Sequence, residues 1–190
     1  MKDANCTCRG ATNYNCPLHG AADESPKQAV ISSCGRYRYR LTRLLETGEG
    51  TIVFIMLNPS TADAAQDDPT IRKCVGFAKK LGRQCVEVVN LFAWRATDPK
   101  ELMRQAAHHD IVGPENDWFV IQEALSRDAL FVAAWGGHAR SYPQRVRDVI
   151  KLLRYAKPVC LGYTKDRHPR HPLMLPYATE LEAYRPETGI

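Results

Sequence analysis

The sequence predicts an α/β domain of three layers, with helices on both faces of a central, mainly parallel four-stranded sheet. Three observations lead there. Four short apolar segments, residues 51–57, 85–90, 129–134 and 159–162, have the length and branched-chain content of buried strands. Segments with helical periodicity separate them, as parallel crossovers require. Each apolar segment also ends abruptly in polar or glycine-containing residues, and in such sheets these ends gather along one edge. With 190 residues, 44% hydrophobic and 25% charged, the chain is long enough for one full core and ordinary in composition for a globular protein.

The elements follow in order. Residues 1–27 show no periodicity, and Cys6, Cys8, Cys16 and His19 form C-x-C-x7-C-x2-H. Four soft or borderline ligands within fourteen residues suit tetrahedral zinc, so this segment reads as a small zinc knuckle or as a loose tail with incidental thiols. The domain proper is expected over 28–190. Residues 29–32 and 35–41 predict a β-hairpin. Period-2 alternation there puts Arg36, Arg38 and Arg40 on one face and Tyr37, Tyr39 and Leu41 on the other. That pattern is either an arginine ladder for phosphates or, the reading it favours, a half-buried edge strand kept soluble by charge. Residues 46–50 form a turn, and the most apolar strand, 51–57, runs into Asn58-Pro59-Ser60-Thr61-Ala62-Asp63. A helix is expected over about 70–81, with Ile71, Cys74, Val75, Ala78 and Leu81 on its apolar stripe and Gly82 as its stop.

The second strand, 85–90, ends in Asn90 and gives way to a loop, 91–97. Asp98-Pro99-Lys100-Glu101 reads as a capping box with proline at the first helical position. A further helix opens near 113–117 and runs to about 127. The third strand stops at Trp135-Gly136-Gly137, and a helix over 143–155 buries Val146, Val149, Ile150 and Leu153 while showing Arg147, Lys151 and Arg154 to solvent. The fourth strand is followed by the loop 163–172 and a tail with one short strand near Leu181.

Charge is unevenly distributed. The net charge is +5, yet residues 140–170 hold nine Lys/Arg against two Asp, so the rest of the chain is slightly acidic. Such a stretch is a phosphate footprint or a solvated helix face with a loop. No apolar run approaches a membrane span and the N-terminus lacks a signal peptide's hydrophobic region, so a cytoplasmic location with mostly reduced thiols is expected. The sequence contains no G-x-x-x-x-G-K-[ST], no G-x-G-x-x-G after a strand, no H-E-x-x-H and no G-x-S-x-G elbow around Ser60.

The polar ends of the four strands supply the candidate site. After the first come Asn58, Pro59, Ser60 and Thr61, with Asp63, Asp67, Asp68 and Arg72 close behind. Asn90, Trp94 and Arg95 follow the second strand, Trp135, Gly136 and His138 the third, and Thr164, Lys165, His168 and His171 the fourth. Their convergence on one sheet edge marks an active or binding site. The aspartates are open to three roles: general base, metal ligand or helix-capping charge. Trp94 and Trp135 are either stacking platforms or core aromatics, and Arg95 and Lys165 either phosphate contacts or partners of the aspartates. His108 and His109 lie in a polar loop and read as solvated.

Four blocks in this order, FIMLNPS (54–60), VVNL (88–91) leading to Arg95, FVAAWG (131–136) and HPRHPL (168–173), resemble the uracil-DNA glycosylase superfamily. More closely, LNPSTAD, NLFAWRAT, GPEND, AWG and the TKD…HPRHPL stretch look like the domain of unknown function 1643 family over about 34–176. The glycosylase resemblance implies a glycosylase-like fold and hydrolysis of an N-glycosidic bond, with no cofactor for the catalytic step. Its partner would be nucleic acid, DNA before RNA, or a nucleotide. A non-catalytic nucleic-acid-binding module and an enzyme on a free nucleotide or other small phosphorylated metabolite are the other readings. By position, the resemblance makes Asn58 the water-positioning residue and His171, or His168, the donor to the departing base. A base flipped into the pocket would stack on Trp94 or Trp135 and be read by Asn90. Asn58 is no strong base, so hydrolysis would rest on positioning unless Asp63 or Asp68 supplies one.

Overall fold

The computed structural model describes residues 26–124 and 129–186. The first strand, β1 (Lys27–Ile31), pairs antiparallel with β2 (Arg38–Leu44). The apolar run becomes β3 (Thr51–Met56), followed by α1 (Pro69–Lys80) and β4 (Cys85–Asn90). Two helices, α2 (Pro99–Gln105) and α3 (Asn116–Ala124), lead to β5 (Ala129–Ala133). After it come a 3-10 turn (Gly137–Ser141), α4 (Pro143–Leu152), β6 (Val159–Cys160), a second 3-10 turn (Pro172–Met174) and β7 (Glu182–Ala183).

These strands form a single sheet in the order β1-β2-β4-β3-β5-β6-β7. The four expected strands are its centre, parallel throughout, with Thr51 facing Cys85 on one side and Ala129 on the other. Four strands is nevertheless too few. The hairpin joins the sheet by antiparallel pairing of β2 on β4, and β7 extends the other side antiparallel to β6. Hence β2 is not an edge strand: it is paired on both sides. Two of its arginines face carboxylates inside the protein, Arg43 with Asp67 at 2.7 Å and Arg40 with Glu87 and Glu123, so their charge is not the solvated charge of an edge.

Alternation along the central strands feeds two cores. Ile52, Phe54, Met56, Val86 and Val88 meet Ile71, Cys74, Phe77 and Ala78 of α1 on one face. Val53, Ile55, Val89 and Phe131 meet Leu102 of α2, Phe119 and Val120 of α3, and Val146 and Val149 of α4 on the other. Burying each such large side chain contributes roughly 2 kcal/mol, which sets both faces firmly and with them the strand ends. The α1 stripe differs from expectation in two ways: Phe77 is buried with Ile71, Cys74 and Ala78, while Val75 and Leu81 are only half-buried against that core. Proline at the first turn and an aspartate cap start both α1 and α2, at Asp68 and Asp98. No helix among the described residues is long and apolar enough to cross a membrane.

One irregularity decides what the sheet presents to its edge. Adjacent residues Val30 and Ile31 pair with Arg40 and Arg38, so Tyr39 is an extra residue in β2, a bulge. The bulge breaks the simple alternation. Arg40 reaches Glu87 and Glu123 beside α3, while Arg38 turns to the opposite face, toward Ala62 and the start of α1.

Candidate active site

A cavity of about 530 Å³ opens at the carboxyl ends of β3 and β5, against the amino end of α1. Of the residues singled out from sequence, Asn58, Ser60, Thr61, Asp68, Trp135, Gly136, His138 and His171 line it. A shallower hollow of about 390 Å³ adjoins it, sharing Ser60, Thr61, Ala96 and Thr97, and takes in Trp94 and Arg95. The ends of β3 and β5 therefore meet in one place, with the loops that follow β4 and β6 supplying Ala96, Thr97 and His171.

The loop after β3 is held by its own asparagine. Asn58 Nδ2 donates to the carbonyls of Pro59 (2.9 Å) and Ala96 (2.7 Å), and Ala96 N donates to Pro59 O. Its amide nitrogen thus ties two loops together, and Pro59 contributes a carbonyl to that tie rather than a cavity wall. Among the three aspartates the structure separates the roles. Asp63 accepts from the amides of Ala65 and Gln66, bonds that hold its carboxyl below the usual range, and it does not line the cavity. Asp67 pairs with Arg43 and Lys27. Asp68 alone faces the cavity: one oxygen caps α1 by accepting from Ile71 N at 2.8 Å.

His171 opposite is brought in by Gly136. With φ at +73° and a virtual Cβ only 3.3 Å from the His171 Cβ, position 136 admits only glycine without strain. Gly136 N also donates to Pro169 O at 3.0 Å, fastening the late loop to the end of β5. Burial lowers the His171 pKa, His138 pushes it the same way, and the Asp68 carboxylate partly opposes them. Leu173 N donates to His171 Nδ1 at 3.4 Å.

Other expectations place differently. The Asn90 side chain is 1% exposed and lies off the cavity. Its register opposite Met56, which itself lines the cavity, puts it on the same α1 face but beneath the lining, with neither amide atom hydrogen-bonded among the described residues. Trp94 is buried and stacks on His109 at 4.9 Å, and Trp135 is buried edge-on to Tyr184, so both pack in the core even as they line the two hollows. His109 is accordingly a packing partner of Trp94. Arg72 is exposed, bonds to Asp67 O and does not line the cavity. Thr164 and His168 close a turn on each other, Thr164 N to His168 O at 2.8 Å, which shapes the loop carrying His171. Lys165 is exposed and outside the cavity. The basic stretch is not one solvated footprint: Arg145 turns inward to Leu91 O and Asp117, both at 2.6 Å, and Arg140 pairs with Asp166.

In the sequence Arg38 stands only in the arginine ladder, not among the strand-end candidates. It is 2% exposed, lines the cavity and donates to Ala62 O at 2.8 Å; burial lowers its pKa to about 10, with Asp68 opposing. A one-residue bulge leaves no composition signal, so alternation alone assigned Arg38 to the wrong face. Cys6, Cys8, Cys16 and His19 lie outside the described residues, and among the described residues no three of His, Cys, Asp and Glu gather as a metal-binding group.

A family model described as Protein of unknown function (DUF1643) matches residues 38–173, most of the chain. The chain belongs to this family. No curated protein and no solved structure matches it. The DUF1643 match begins at Arg38 and ends at Leu173, so both cavity walls, from β2 to the His171 loop, fall within the family's span.

Proposed function

We propose that this DUF1643 protein hydrolyses an N-glycosidic bond of a nucleobase-bearing substrate, either nucleic acid, DNA before RNA, or a nucleotide. The observation that carries the reading is the placing of one carboxylate, Asp68, and the imidazole of His171 on a single cavity, with His138 on the same lining. Breaking the bond develops positive charge on the sugar and negative charge on the base, so the chemistry needs a base for water on one side and a donor for the leaving group on the other.

His171 has the right form for the second task. Burial favours the neutral ring, and Nδ1 accepts from Leu173 N, which leaves the proton on Nε2 as the donor for a base oxygen or nitrogen. Asp68 takes the first. Its cap bond to Ile71 uses one oxygen and fixes the carboxylate, and the other accepts a proton from the attacking water. The water's oxygen bonds to the anomeric carbon as the carbon–nitrogen bond breaks, and the base departs with its electron pair stabilised by His171. Asn58 acts one step back, holding the two loops that shape the cavity. The volume, about 530 Å³, suits a base with its sugar. The glycosylase-like layout proposed from the sequence is part of this reading, as is a structural zinc at Cys6, Cys8, Cys16 and His19 beside the domain.

The test is base release from a panel of oligonucleotides carrying uracil and modified bases, run beside free nucleosides and nucleotides. Product that disappears in Asp68→Asn and His171→Gln supports the reading. No product from any member of the panel sinks it in favour of a binding module. Metal analysis of the purified full chain, with and without Cys6→Ser, tests the zinc; a metal-free folded protein ends that part.

A further inference from the structure

Arg38 has hydrogen-bonding capacity that the proposed reaction does not use. A guanidinium carries five N–H donors. The side-chain bond Arg38 makes is from one Nη to Ala62 O, and its Nε is buried with no acceptor among the described residues. No carboxylate among the described residues stands within ion-pair distance of it. Asp68 and, more weakly, Asp63 are near enough to favour the charged form without closing a salt bridge, and Arg95 and Arg43 are near enough to disfavour it. A charge held at 2% exposure and left without an ion partner on a cavity wall is matched to a partner that arrives with the ligand.

The neighbouring wall points the same way. Thr70, second residue of the twelve-residue α1, lines the cavity, and an amide at that position has no carbonyl to bond within the helix. That end of the helix carries the positive pole of its dipole. Ser60 and Thr61 add hydroxyls at the junction with the second hollow, where Arg95 stands. Asp68 opposes these donors with one carboxylate, already engaged by Ile71 N.

We propose that Arg38 and the amino end of α1 form a phosphate-monoester subsite, so that the substrate is a free nucleotide with its terminal phosphate on Arg38 and its base toward His171. The base half rests on the glycosidic reading above; the phosphate half does not. Three phosphate oxygens match a guanidinium fork together with an amide and hydroxyls. A monoester is chosen over a diester because Arg38 is enclosed. A group that reaches it must end there, whereas a strand's phosphate continues on both sides.

The experiment titrates the full chain with inorganic phosphate, then with nucleosides, their 5′-monophosphates and a dinucleoside monophosphate. The readouts are the dissociation constant and the Nε–H resonance of Arg38, assigned by its loss in Arg38→Lys. The 5′-monophosphate is expected to bind at least about tenfold tighter than the nucleoside, to shift the Arg38 resonance to saturation, and to lose that advantage in Arg38→Lys. The dissociation constants for nucleoside and monophosphate are read in the unmodified protein, so a misfolded variant does not blunt the test. An Arg38 resonance unmoved by phosphate and monophosphates overturns the subsite, as does equal affinity for nucleoside and monophosphate. A dinucleoside monophosphate that binds as tightly as the monophosphate overturns the terminal-phosphate assignment. A phosphate response without base release from any substrate leaves the subsite standing and removes the glycosidic reading. Base release indifferent to the 5′-phosphate and to Arg38→Lys does the reverse.

Discussion

Two arginines on β2, Arg38 and Arg40, sit on either side of one bulge and meet opposite treatment. Arg40, whose side chain keeps 32% of its exposure, faces two carboxylates, Glu123 at 3.4 Å and Glu87 at 3.7 Å. Arg38 is far more enclosed, at 2%, yet lies against a cavity with a backbone carbonyl as its side-chain partner. Energetics alone favours the opposite arrangement, since the charge removed from water is the one that most needs an ion partner. The α3 face of the sheet is therefore a closed electrostatic unit that serves the fold. The α1 face holds charge in reserve for something that binds.

Breaking the catalytic side of that contrast carries the largest effect. Asp68→Asn keeps a good cap for α1, so the fold survives, but removes the proton acceptor; base release should fall about a thousandfold or more in single-turnover assays. A variant that retains most of its rate assigns the base elsewhere. Next comes a stability comparison. Arg40→Met strands Glu87 and Glu123, each with a side chain no more than 13% exposed, and should cost about 3 kcal/mol in denaturant unfolding at pH 8. Arg38→Met removes a charge that has no ion partner and should cost less than Arg40→Met despite its deeper burial. The reverse ranking would undo the contrast. His171→Gln should lower base release by about a hundredfold while leaving stability nearly unchanged. In the unmodified protein the acidic limb of the pH–rate profile should fall below the ordinary histidine range near about 6.5, because burial keeps His171 neutral to lower pH.

The parallel centre of the sheet was legible because buried strands write their hydrophobicity continuously, and 85–90 was read to the residue. Asn58, Asp68, Gly136 and His171 were legible as polar or glycine residues placed where such strands and their loops stop. What failed was side-chain direction. Asn90 stands at a strand end, but its side chain is buried in the layer beneath the cavity lining, under Met56, and does not line the cavity itself. Arg38 lies on the cavity instead, since one inserted residue at Tyr39 reverses a two-residue alternation. In the sequence Trp94 and Trp135 fit core and platform alike, because an indole supports both roles until its neighbours are known.

The smallest expected effect tests the closed side by pH. Glu87 is pushed from its ordinary 4.5 up to about 7, first by burial and then by Glu123, with Arg40 opposing. A carboxyl whose folded pKa is raised binds its proton more tightly in the folded state than in the unfolded one. Its favourable contribution is therefore complete below about pH 4.5 and lost as pH rises through about 7. Glu87→Gln imitates the protonated form at every pH and keeps an acceptor for Thr42, whose hydroxyl bonds Glu87 at 3.2 Å. The variant should match the unmodified protein at pH 5 and exceed it at pH 8 by about 1 kcal/mol, a gain of roughly 2–4 °C in Tm. Equal stability at both pH values would mean that Arg40 already neutralises the ionised pair in full, and that β2 stores no proton-linked strain on its α3 face.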